Sequence, residues 1–196
     1  MPVTVLELVR IAKIRIEIRE ARKEDLDAVS DLWEELARYH ERLSDDFELA
    51  WDSRRKWAKY LKQKFSEIST KLIVASEGDR VVGFALCLLS PNVPVYKERK
   101  IGVISDVFVR EERRRKGVMK KMLDMAVKWF AKNRVKTIQL SVAAANTEAR
   151  EIYANMGFTP FVIHKRIDLA KYREPRPRVE VKRPRSGKLI RRKIRK

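Results

Sequence analysis

Ile104-Ser-Asp-Val-Phe-Val109-Arg-Glu-Glu-Arg-Arg-Arg-Lys-Gly117-Val-Met-Lys-Lys-Met-Leu123 reads as a strand, a basic turn and the start of a helix. The apolar strand ends at Val109. A single glycine then precedes a helical pattern over 115–132, in which Met119, Met122, Leu123, Ala126 and Phe130 recur at helical spacing. The first turn of a helix exposes unpaired N–H groups and the positive end of its dipole, a combination that favours a phosphate. Gly117 lets backbone approach a ligand without a Cβ in the way. Arg113 to Lys116, with Arg110 upstream, add positive charge. On these residues alone the segment is an anion site or an ordinary solvated basic turn.

The surrounding sequence supplies a sheet. Ile14, Ile16 and Ile18 alternate with charged residues, as a half-buried strand does. Helices are expected over about 23–43 and 52–66, broken at Ser44-Asp45-Asp46. Leu72 to Ser76 and Arg80 to Leu89 flank Glu77-Gly78-Asp79 and predict a hairpin. Residues 90–100 form a loop, Ile101 to Val109 a strand, Thr137 to Val142 a strand, Thr147 to Met156 a helix and Phe161 to Leu169 a last strand. Thr4 to Ala12 carries a capping-box pattern and reads as a short helix. The order β-α-α-β-β-β-α-β-α-β predicts an α/β fold of strand-helix-strand units around a sheet.

With 196 residues and 44% apolar content the chain can bury a full core. No apolar run is long enough for a bilayer, and Glu7 and Arg10 interrupt the apolar N-terminus where a secretory signal would be continuous. One cysteine, Cys87, excludes an internal disulfide and fits a reducing cytosol, so the expected location is cytoplasmic. His40 and His164 stand far apart, and no metal site is expected. Charge is uneven. Lys171 to Lys196 holds thirteen Lys/Arg against two acids, a net of +11, whereas Glu20 to Asp52 holds twelve acids against four bases, a net of −8.

A second segment, Leu140-Ser-Val142-Ala-Ala-Ala-Asn146-Thr-Glu-Ala-Arg-Glu-Ile-Tyr153-Ala-Asn-Met-Gly157-Phe158, places Asn146 at a good N-cap position. Tyr153 follows two helical turns later, and Gly157 is a stop signal. Taken alone, it is also a capped helix with a core tyrosine. Together the two segments resemble the GNAT superfamily of N-acetyltransferases, whose phosphate turn Arg/Gln-x-x-Gly-x-Gly/Ala is matched by Arg114-Arg-Lys-Gly117-Val-Met119. Asn146, Ala149, Tyr153 and Gly157-Phe158 match that family's later motif. Met119 departs from it, standing where a small residue is usual.

The resemblance, over roughly 14–169, implies a mixed β-sheet flanked by helices, with two parallel strands splayed at a notch for acetyl-CoA. It divides the chain into an N-terminal extension (1–13), an acetyltransferase domain (14–170) and a basic tail (171–196). It implies that pantetheine pairs with the backbone of Val107, Phe108 and Val109. The pyrophosphate is implied at the turn of Arg114, Arg115, Lys116, Gly117, Val118, Met119 and Lys120. Asn146 and Tyr153 would complete the cofactor site, with Tyr153 as hydrogen donor to the departing thiolate. An amine of pKa ~10.4 is about 4.6 kcal/mol from its neutral nucleophilic form at pH 7, so a base is required. Ser141 stands where related ribosomal-protein N-terminal acetyltransferases have a carboxylate, and Asp106 is the candidate base, completing a catalytic set with Tyr153 and Asn146. Cys87, mid-strand, reads as a small buried residue rather than an acyl carrier.

The resemblance also implies an acceptor pocket framed by the first two helices, with Tyr39, His40, Phe47 and Trp51, and by the loop bearing Tyr96. Acids in that region would favour a cationic amine such as a polyamine, a protein lysine or an N-terminus. The tail is a solvated extension, an RNA- or ribosome-docking segment, or a partner for the acidic helices. Similar enzymes are often homodimers. Two other classes remain: an acetyl-CoA-binding module without catalysis, and a nucleic-acid-binding protein acting through its bases.

Overall fold

The computed structural model describes residues 15–169 and Tyr172. The Thr4 to Ala12 helix, Ile14 and the basic tail beyond Tyr172 lie outside the described residues. The chain divides into two units, Met1–Met156 and Gly157–Lys196.

The first unit is built on a five-stranded sheet in sequential order: β1 (Ile16–Glu20), β2 (Thr70–Glu77), β3 (Arg80–Pro91), β4 (Lys100–Val109) and β5 (Ile138–Leu140). The first three pairings are antiparallel and β4–β5 is parallel. Helices α1 (Leu26–Leu43) and α2 (Ser53–Phe65) connect β1 to β2, α3 (Val118–Lys132) connects β4 to β5, and α4 (Thr147–Asn155) follows β5.

Both faces of β2 and β3 are covered, so Leu72 to Ala75 and Phe84 to Cys87 are buried without alternation. Leu72, Val74, Phe84, Leu86 and Phe108 cluster with Val29 and Leu32 of α1 and with Trp57 and Leu61 of α2. Trp33 and Trp57 stack with ring centroids 4.9 Å apart and fix α1 against α2. On the other face α3 contributes Met122, Leu123, Ala126 and Phe130, all buried. Phe130 lies so close to Gly102 that a Cβ there would meet its ring at 2.7 Å, so only glycine lets α3 pack this tightly on β4.

Asp25 sets the entry to α1. Its carboxylate takes two hydrogen bonds from Arg19 of β1, at 2.7 and 2.9 Å, and a third from the backbone N–H of Arg22 at 2.6 Å. The Arg19 guanidinium, the largest cause, holds the Asp25 carboxyl below its usual range.

Two expected strands differ. The one expected over Thr137 to Val142 shortens to Ile138–Leu140, because it pairs only with Gly102 to Ile104 of β4. Phe161 to Leu169 forms no strand. In the second unit Phe161, Ile163 and Leu169 are exposed. Strand propensity is largely a side chain's fit to a pleated, half-buried surface, and among the described residues this segment has no ladder partner to supply one. No helix among the described residues is long and apolar enough to cross a membrane.

Candidate active site

The sheet opens where β4 and β5 part. In the β3–β4 register Leu86 faces Asp106 while Cys87 faces Ile104, leaving Ser105 as an extra residue in β4. Such a bulge bends its strand and sharpens the local twist. Pairing with β5 stops at Ile104, directly before it. From Ser105 to Val109 the β5-side edge of β4 therefore carries no neighbouring strand among the described residues, which is the splay that the resemblance implies. At the opposite, closed end of the pair Glu98 ties the approach to β4 to the start of β5, its carboxylate accepting from the Thr137 hydroxyl at 2.6 Å and from the Lys136 and Thr137 amides at 3.1 and 3.0 Å.

That open edge runs into the basic turn. Arg115 and Gly117 both adopt left-handed conformations, with φ of 56° and 70°. Gly117 is the residue ahead of α3 and has no side chain with which to cap the amides of Val118, Met119 and Lys120. A Cβ built on Gly117 would meet nothing within 4 Å, so space lies open in front of the turn.

The bases of this segment do not act as one cluster. Arg110 pairs with Glu35 of α1 at 2.9 Å, and Arg113 pairs with Glu77 at 2.5 Å. Arg114 donates from Nε to the Val109 carbonyl at 3.0 Å and lies over the Phe108 ring. These three shape the turn and tie it to its neighbours. Arg115 and Lys116 are exposed beside Gly117, while Val118 is buried and Met119 half-buried, its side chain turned partly into the protein.

Asn146 caps α4 as expected, its Oδ1 accepting from the Ala149 amide at 3.0 Å, and it is buried. The Tyr39 hydroxyl of α1 donates to the same oxygen at 3.4 Å. Tyr153, half-buried on α4, has a phenol that burial pushes up to about 12. It stays protonated throughout the neutral range. The Cys87 thiol, fully buried, is also pushed up to about 12, which leaves it without the thiolate an acyl carrier needs.

Asp106 faces away from α3, towards α1. A cavity of about 240 Å³ is lined by Trp33, Leu36, Ala37 and His40 of α1, by Phe47 and Leu49 of the connection to α2, and by Asp106. Burial raises the Asp106 carboxyl above its ordinary value, opposed by hydrogen bonds from Ser105, at 2.7 Å, and Trp33. Burial also lowers His40, so its imidazole is neutral at pH 7. The sequence had suggested His40 and Phe47 for this region. It missed Trp33, Leu36 and Ala37, although their spacing with His40 marks one helix face. Tyr39 instead reaches Asn146, and Trp51 and Tyr96 are exposed at 91% and 57%.

The acidity of the region is largely neutralised internally. Arg54 binds Asp27 and Asp31 at 2.8 and 2.5 Å, Arg38 binds Glu34 at 2.7 Å, and Arg55 and Lys56 bind Asp52 at 3.0 and 2.8 Å. Arg54, Arg55 and Lys56 lie just beyond the Glu20 to Asp52 stretch, so its net charge of −8 overstates the field available to a ligand.

An open strand edge, an uncapped helix start and a half-buried carboxylate on the α1 side of β4 are accompanied by a family match: the model of the acetyltransferase (GNAT) family covers residues 31–158. The chain belongs to the GNAT acetyltransferase family. It is thus an acetyltransferase enzyme. A protein of Archaeoglobus fulgidus named as an uncharacterized N-acetyltransferase is 29% identical over 141 residues, covering 71% of this chain and 90% of that one. Among solved structures, a Bacillus halodurans protein matches with a TM-score of 0.70 at 21% identity, over 78% of this chain and 99% of that one. A predicted acetyltransferase from Clostridium acetobutylicum, solved with acetyl-CoA, matches with a TM-score of 0.65 at 17% identity, over 82% and 100%. At such identities the structural likeness speaks for the GNAT fold.

Proposed function

We propose that this enzyme transfers the acetyl group of acetyl-CoA directly to an amine bound beside it, with Asp106 as base and Tyr153 as hydrogen donor to the leaving sulfur. The carrying observation is the continuity of the unpaired β4 edge, Ser105 to Val109, with the Gly117 turn. Amides and carbonyls of Val107 to Val109 suit the amide-bearing pantetheine arm. The amides of Val118 to Lys120, with the exposed Arg115 and Lys116, suit a diphosphate. Bound there, acetyl-CoA supplies an acetyl thioester, a carbonyl carbon open to a neutral amine.

Each protein group has one task. Asp106, with its carboxyl raised by burial, is a stronger base than an exposed aspartate and takes the ammonium proton directly or through water. Trp33 and Ser105 hold its orientation. The leaving thiolate belongs to a thiol of pKa about 8.5. A phenol pushed up to about 12 is the weaker acid, so Tyr153 supplies a hydrogen bond to the sulfur, and the thiolate takes its proton from the attacking nitrogen as the amide forms. Asn146 acts through position, fixing the α4 start that carries Tyr153.

Acceptors of the proposed class include a small amine, a protein lysine and a protein N-terminus, and the buried Cys87 thiol suits a reducing cytoplasm. Thiol release from acetyl-CoA by the full chain, measured with amines and peptides alongside calorimetric binding of acetyl-CoA, tests the proposal. Absence of acetyl-CoA binding refutes it.

A further inference from the structure

We infer that the acceptor is a monoamine carried on a short apolar or aromatic arm, which enters the cavity between α1 and β4 and brings its amine to Asp106. This rests on the proposed reaction and narrows it. Trp33, Leu36, Ala37, Phe47 and Leu49 give the cavity an apolar wall. The rings of His40 and Phe47 lie 5.5 Å apart, and those of Tyr39 and His40 5.9 Å apart, so its rim is aromatic. Its volume of about 240 Å³ is below the ~300–1,000 Å³ typical of pockets that enclose a whole drug-sized ligand. The cavity encloses an arm and leaves the rest of a large polycation outside.

Charge decides against a second ammonium. Asp106 is the one carboxylate among the lining residues, and His40 is neutral at pH 7. Four acids of α1 outside the lining already hold partners: Glu35 with Arg110, Glu34 with Arg38, Asp31 with Arg54, and Glu41, which accepts the amide of Leu49 at 3.0 Å. A diamine entering the cavity would pair one ammonium with Asp106 and strip water from the other without replacing it, which is costly. An alkyl or aryl arm instead exchanges water for the ring and methyl surfaces already there.

The test measures thiol release by the full chain with acetyl-CoA and a matched pair, butylamine and 1,4-diaminobutane, plus phenethylamine and spermidine. Butylamine and phenethylamine are expected to exceed the diamine and spermidine by about tenfold or more in kcat/KM, the scale on which apolar pockets discriminate. Leu49→Glu, in a connecting loop, adds a carboxylate to the wall and should move the preference towards 1,4-diaminobutane by a similar factor. Equal or higher rates with the diamines overturn the inference, as does a preference that Leu49→Glu leaves unmoved. Failure of all four amines also overturns it, and calorimetry with acetyl-CoA then shows separately whether the proposed reaction survives.

Discussion

The Tyr39 hydroxyl and the Asn146 side-chain oxygen meet at 3.4 Å, joining helix α1 to the start of α4 across 107 positions of sequence. The same oxygen accepts the Ala149 amide at 3.0 Å. One buried side chain thereby caps the helix carrying Tyr153 and couples it to the helix carrying His40. The donor side and the acceptor side of the proposed reaction share a fixed point.

Substituting Asn146 by Ala removes the cap and the acceptor for Tyr39. The expected cost is about 1 kcal/mol of stability, in the usual range for a lost N-cap. Tyr39→Phe should cost less, since 3.4 Å is long for a hydroxyl hydrogen bond. Because the two changes delete one shared interaction, the double variant should fall short of their sum. Urea unfolding of the three variants checks this; strict additivity would mean the contact carries no energy.

Asp106→Asn should reduce activity and raise stability together. A carboxyl whose folded pKa is raised favours the fold while protonated and loses that contribution as pH rises through the folded value. The neutral isostere should therefore be more stable than the parent at pH 7, with the difference fading towards the pH at which the parent carboxyl is protonated. Activity should run the opposite way. In the parent, kcat/KM should fall on acidification through a limb lying above the ordinary ~3.9 of aspartate. The variant should lack that limb. A variant that keeps both rate and limb removes Asp106 as the base.

Tyr153→Phe deletes the proposed hydrogen bond to sulfur and little volume. Turnover should drop by about tenfold to a hundredfold, the worth of one hydrogen bond to a charged group. Affinity for acetyl-CoA should change far less. Since the phenol is pushed up to about 12, the pH profile of the parent should show no limb from this residue below pH 10. Stopped-flow measurement of a single turnover separates the two effects; a loss of affinity with the saturated rate unchanged would assign Tyr153 to binding alone.

Much of this architecture was legible because local pattern and fold agree. The alternation of Ile16 and Ile18, the hairpin at Gly78 and the periodicity of α3 each encode their own element. Phe161 to Leu169 misled because β-branched content reports suitability for a sheet, while a ladder also needs a neighbour. The basic turn has the strand-turn-helix geometry that its sequence implies, but the partners of its charges are not legible there. Nothing local shows that Arg110 answers Glu35 or that Arg113 answers Glu77 36 positions away. The Asp106 cavity was hidden for the same reason, as its wall comes from α1, a loop and β4.

Gly117→Ala offers the most direct test of the turn. At φ of 70° an L-residue is strained, by roughly 1–2 kcal/mol, whatever space surrounds it. The open space beyond its missing Cβ means that no neighbouring atom opposes the methyl. Loss of stability should therefore stop at that strain of about 1–2 kcal/mol, whereas acetyl-CoA affinity should fall further, because the methyl projects from a backbone proposed to touch the diphosphate. Arg115→Ala, at a residue that is itself left-handed and exposed, should weaken binding in a salt-dependent way. Calorimetric titration of acetyl-CoA at two ionic strengths distinguishes these contributions. If Gly117→Ala binds as tightly as the parent, the diphosphate lies elsewhere.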